Sequence, residues 1–128
     1  MQSLFLDDIR NPHGVKWAVT DIQNQNIKLP DTVYDIVRNY DEFVAYIDKQ
    51  MPDMITFDHD LADEHYNTSL NPDNFKEKTG LHCANYLVEK CINEKRRLPI
   101  VYVHSMNPIG KRNIISLCNS AKRNFDFL

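Results

Sequence analysis

The chain has 128 residues, of which 42% are hydrophobic and 26% charged, and its formal net charge is −3. That length fits one domain with its own core, and that composition excludes global disorder. The acidic balance excludes a protein held to duplex nucleic acid mainly by bulk electrostatics, and the basic pairs Arg96-Arg97, Lys111-Arg112 and Lys122-Arg123 read as solvated helix faces.

In chain order, Ser3-Leu4-Phe5-Leu6 is an apolar run cut off by Asp7-Asp8, which predicts a buried strand entering a loop. Residues 13–32 are polar and mixed, with Gly14 and Pro30 as turn signals, and read as an insertion in which Val15–Val19 forms an extra short strand. Val33–Val37 is the second main strand. Asn39 with Glu42 then opens a helix that runs to about Gln50. Met54–Phe57 is the third main strand and ends in Asp58-His59-Asp60.

A second polar insertion is expected near residues 62–78, long enough to imply a functional or mobile loop. Leu81, Ala84, Leu87, Val88, Cys91 and Ile92 form the stripe of a second helix. Ile100–Val103 is the fourth main strand, closed by His104-Ser105, and Ile114, Ile115, Leu117, Cys118 and Ala121 mark a last helix. Phe125–Leu128 is expected as a short edge strand. Cys83, Cys91 and Cys118 show no ligand spacing and read as reduced core thiols, which fits a cytoplasmic setting. No run suits a signal peptide or a membrane span.

Strands alternating with helices predict a single α/β domain over 1–128, a doubly wound parallel sheet with helices on both faces. In the common strand order 2-1-3-4-5, the ends of main strands one, three and four are neighbours, where ligands bind in open sheets. Asp7, Asp8, Asp58 and Asp60 would then converge, and crowded carboxylates call for a cation. Oxygen donors without cysteines favour magnesium or manganese. His104, with His59 as the alternative, suits proton transfer near neutral pH. Arg10 and Arg38 lie at strand ends on the same edge and offer two-point contacts to phosphate oxygens. Ser105 and Asn107 are candidates for holding a phosphate or its loop, and Gly110 for leaving backbone N–H groups to an anion.

These motifs (LFLDDIRNP at 4–12, VRN at 37–39, ITFDHDL at 55–61 and VHSMNPIG at 103–110) resemble the cyclic-phosphate processing receiver-like family, a divergent branch of the receiver fold. The resemblance implies a receiver-like (flavodoxin-like) sandwich acting on cyclic phosphates of nucleotides or RNA ends. Carried over by motif, the site is Asp7, Asp8, Arg10, Arg38, Asp58, His59, Asp60, His104, Ser105 and Asn107. Both insertions lengthen the family's usual connections.

The leading expectation is a metal-dependent phosphoesterase. Asp7, Asp8, Asp58 and Asp60 hold magnesium or manganese, with His104, His59 and Asp58 as catalytic candidates. Arg10, Arg38, Ser105 and Asn107 meet a small phosphorylated ligand, a cyclic nucleotide or an RNA terminus. The alternative is a non-catalytic module that accepts a phosphoryl group on Asp58 or binds a nucleotide. A signalling receiver would also place a lysine at the end of a fifth strand, and none stands near Phe125–Leu128.

Overall fold

The structure is a computed structural model, and it describes residues 1–61 and 78–128. The expectation for residues 62–78 therefore lies almost wholly outside the described residues. The strands are β1 (Ser3–Leu6), β2 (Val19–Asp21), β3 (Asn26–Ile27), β4 (Asp35–Val37), β5 (Met54–Phe57) and β6 (Ile100–Val103). The helices are α1 (Tyr40–Lys49), α2 (Gly80–Glu94) and α3 (Pro108–Asn124), with a single 3-10 turn at Pro12–Gly14.

One six-stranded sheet runs in the order β3-β2-β6-β5-β1-β4. Four neighbouring strands, β4-β1-β5-β6, with β4 at the edge, are parallel, as the alternation of elements predicts. The order differs at the next position. There the expected strand at Phe125–Leu128 is absent, and β2 pairs antiparallel with β6 instead. Helix α3 continues to Asn124, which leaves the last residues only a turn, tied down where Leu98 N–H donates to the Leu128 carbonyl at 3.2 Å.

The first insertion is thus a structural part of the sheet. Its strand begins at Val19, where the Val15–Val19 expectation ends, and runs on to Asp21. The β2–β3 turn is built by Asp21, whose Oδ1 accepts the N–H groups of Gln23 and Gln25 at 2.9 Å each. Asn24 takes the left-handed backbone position at φ 63° that this turn needs, which asparagine tolerates better than most residues. To reach β2, the chain leaves β1 and crosses the carboxyl-end rim over β5 and β6. Trp17 pins the crossing, donating from Nε1 to the His104 carbonyl at 2.9 Å.

Alternate strand residues divide the sheet into two faces. Leu4, Leu6, Ile55, Phe57, Val101 and Val103 join Phe43, Ile47, Ala84, Leu87, Ile114 and Cys118 in one buried core under the helices. Among the described residues the helices form one layer, α1 on α2 on α3, rather than covering both faces. Phe5, Thr56 and Tyr102, which pair in register, lie on the opposite face, where Tyr34 packs edge-on against Phe5 at 6.0 Å. The three cysteines are free thiols, all buried. No helix among the described residues is long and apolar enough to cross a membrane.

Helix starts are fixed by local chemistry. The Asn39 side chain accepts the Glu42 N–H at 2.8 Å, and Glu42 Oε1 reaches back to accept the Arg38 N–H at 2.8 Å. Asn107 caps α3 by accepting the Gly110 N–H at 3.0 Å, with Pro108 preset for the first turn. At α2, His82 Nδ1 accepts the Thr79 N–H at 2.9 Å. These three starts stand at or near the carboxyl ends of β4, β6 and β5, so each helix entry borders the rim.

Candidate functional site

The parallel register carries β1 and β5 side by side, with Leu6 opposite Phe57, so the residues that follow them are neighbours. Asp7 N–H donates to the Val37 carbonyl and Asp58 N–H to the Leu6 carbonyl, which extends the ladder by one residue past each strand. His104 N–H does the same, donating to the Phe57 carbonyl at 2.9 Å. Asp7, Asp58 and His104 consequently present one ligand atom each, all within 4.8 Å of one another, and all three residues are buried.

Each member has a distinct electrostatic position. For Asp7, burial works to raise the carboxyl, but the hydrogen bond with His104 and the N–H groups of Arg10 and Ile9 outweigh it and bring it to about 2. Asp58 goes the other way, raised to about 7 by burial first and then by the charge of Asp7, with Arg10 only partly offsetting. Its Oδ1 accepts the His59 N–H at 2.9 Å, while its Oδ2 is buried and has no hydrogen-bond partner. Arg10 Nη1 lies 3.3 Å from Asp7 Oδ2 and 3.7 Å from Asp58 Oδ2, between the two carboxylates.

His104 is fully buried and stacked on Phe5, with ring centroids 4.5 Å apart. Burial lowers its pKa, so the ring is neutral at physiological pH. With Asp7 ionised, Nε2–H donates to Asp7 Oδ2 at 3.0 Å, and Nδ1 accepts the Thr56 hydroxyl at 2.8 Å. Both ring nitrogens are engaged inside the protein. Thr56 and Phe5, which hold this ring, are absent from the motif-derived set. Strand parity points to them, because Phe5, Thr56, Tyr102 and His104 all fall on one face.

His59 stands at the rim. Its Nδ1 meets Asp60 Oδ1 at 2.9 Å, and no described group bonds its Nε2. Its ring packs against the start of α3, where a side chain on Gly110 would come within 2.3 Å of the imidazole. Asn107 Nδ2 donates to Asp60 at 3.2 Å, so Asp60 is turned toward His59 and α3. Asp8 and Asp60 fall outside the tight group formed by Asp7, Asp58 and His104.

The remaining expected ligand-binding groups serve the scaffold. Arg38 Nη1 donates to the Asp7 and Arg10 carbonyls at 3.1 and 2.5 Å, and Nη2 to Asn11 Oδ1 at 2.7 Å. Its guanidinium therefore staples the loop after β1. Ser105 is buried and accepts the Asn107 N–H at 3.0 Å, while Asn107 caps α3. Gly110 N–H, expected to await an anion, is taken by that cap. Arg10 keeps partial exposure, 29% of its side chain, with its guanidinium 5.1 Å from the centre of the Trp17 ring.

The group thus combines two carboxylates on adjacent strands, one of them with an unsatisfied buried oxygen. That donor chemistry suits a hard divalent cation, which prefers oxygen ligands and would relieve the like-charge repulsion. The family model for the cyclic-phosphate processing receiver domain matches residues 2–120. The chain belongs to the cyclic-phosphate processing receiver domain family. The match takes in β1 through most of α3, hence every strand end that builds this site. No curated protein and no solved structure matches this receiver domain.

Proposed function

We propose that this receiver domain is a metal-dependent phosphoesterase that opens a cyclic phosphate of a nucleotide or an RNA end. The observation that carries the reading is Oδ2 of Asp58, buried and without a hydrogen-bond partner, beside the ionised Asp7. A magnesium or manganese ion bound there would neutralise charge on the phosphate and favour attack by water. Asp7 and Asp58 are the residues that hold it. His104, sealed beneath Asp7, is a positioning residue that fixes the carboxylate's orientation.

Proton transfer falls to His59, the alternative among the sequence-derived candidates. Asp60 orients its Nδ1, which leaves Nε2 at the rim to exchange a proton with the reactants. As water adds to phosphorus, His59 Nε2 takes its proton, the bond from phosphorus to one ribose oxygen breaks, and that oxygen takes up the proton from His59. Arg10 supplies positive charge for the non-bridging oxygens.

Hydrolysis of a 2′,3′-cyclic mononucleotide with added magnesium or manganese tests this. Turnover that disappears with chelator, and falls by roughly two to three orders of magnitude in His59→Ala, is the expected result. Absence of turnover with either cation, on cyclic mononucleotides and cyclic-ended oligonucleotides alike, removes the enzyme reading.

A further inference from the structure

We propose that Arg10 is a resident cation of the site, which occupies the place of the divalent ion and moves onto the phosphate when the ion binds; this rests on the metal reading above. Arg10 Nη1 is 3.3 Å from Asp7 Oδ2 and 3.7 Å from Asp58 Oδ2, the same two carboxylates that face each other across the site. An ion bonded to both would sit roughly 2 Å from each oxygen, inside the reach of the guanidinium hydrogens. Two positive groups cannot share that space in a buried setting. One must leave.

The geometry says how Arg10 leaves. Its backbone is fixed, because its N–H donates to Asp7 Oδ1 at 2.8 Å and its carbonyl accepts from Arg38. Its side chain is not sealed in, and the contact to Asp58 is longer than a hydrogen bond. Trp17 offers a path, since the guanidinium already lies over the indole and can slide along that face toward the rim. There its planar fork is released for two-point contact with phosphate oxygens. Metal binding and phosphate binding are coupled through this one side chain. The crossing segment that distinguishes this sheet, pinned by Trp17 to the His104 carbonyl, supplies the aromatic surface.

Trp17 is the sole tryptophan of the chain, so its emission reports on the charge above it. Magnesium is titrated into the wild type and Arg10→Gln at pH 8.5, followed by calorimetry and by tryptophan fluorescence. The wild type is expected to show an emission change with the same midpoint as the heat. Arg10→Gln is expected to bind magnesium about tenfold more tightly, with little emission response, because no internal cation competes. Arg10→Lys, which keeps a cation, should fall between. Binding of equal or lower affinity in Arg10→Gln, or an undiminished emission change, overturns the displacement while leaving the metal reading intact. No heat from either protein, with no emission change and no magnesium-dependent rise in melting temperature in the wild type, overturns both.

Discussion

Asp58→Asn is expected to raise the thermal stability of the metal-free protein at pH 8, by on the order of 10 °C. Asp58 has a folded-state pKa raised to about 7, by burial and then by Asp7. A raised carboxyl favours the folded state while it holds its proton, and that contribution is lost as pH climbs from about 4 through 7. Above that window the folded protein carries a buried charge that costs a few kcal/mol. Asparagine keeps the Oδ1 that accepts the His59 N–H and removes the charge. The gap between variant and wild type should therefore be small near pH 5 and open steadily toward pH 8. Asp7 titrates in the opposite sense: its stabilising contribution is present above the usual carboxylate range and lost only as pH falls toward about 2. Melting curves across pH 5–8 check this, and a variant that melts below the wild type at pH 8 contradicts it. Magnesium should raise the wild-type melting temperature at pH 8 and leave Asp58→Asn nearly unchanged.

Gly80→Ala is expected to destabilise the fold by roughly 2 kcal/mol, against the sign of helix propensity. Alanine is the better helix former by about 1 kcal/mol, so propensity alone predicts a gain. Gly80, however, opens α2 directly against the end of β5. Its N–H donates to the His59 carbonyl at 2.8 Å, and a Cβ would lie 1.9 Å from the Asp58 carbonyl oxygen. Backbone on both sides of that contact leaves no side chain to rotate away. The helix start must retreat, and with it the Asp58 loop, so magnesium affinity should fall alongside stability. Denaturant unfolding of Gly80→Ala decides the sign, and an alanine variant as stable as the wild type rules out the close approach.

Much of this arrangement is legible in the chain. Four apolar runs set the parallel strands, and their polar endings brought Asp7, Asp58 and His104 to one rim. The β2–β3 hairpin was harder to see because β2 contributes few buried residues, Val19 and Thr20, while β3 has only two residues. Phe125–Leu128 alternates like a strand, yet α3 consumes the chain up to Asn124 and leaves too little to cross the sheet. Roles were less legible than positions. Arg38 ends a strand beside the acids, but its guanidinium length matches the carbonyls of the β1 loop, which bind it first. Ser105 and Asn107 read as ligand groups because capping and phosphate binding use the same small polar residues at helix starts. His104 required parity: two residues past Tyr102, it falls on the Phe5 face, as Asp7 and Asp58 do, and stacks on that ring.

The most direct measurement is anomalous scattering from a crystal grown with manganese. The expected result is a peak bonded to one oxygen of Asp7 and to Oδ2 of Asp58, at roughly 2–2.3 Å from each, with the Arg10 guanidinium withdrawn. A crystal soaked in manganese whose two carboxylates still share Arg10, with no scatterer between them, contradicts it.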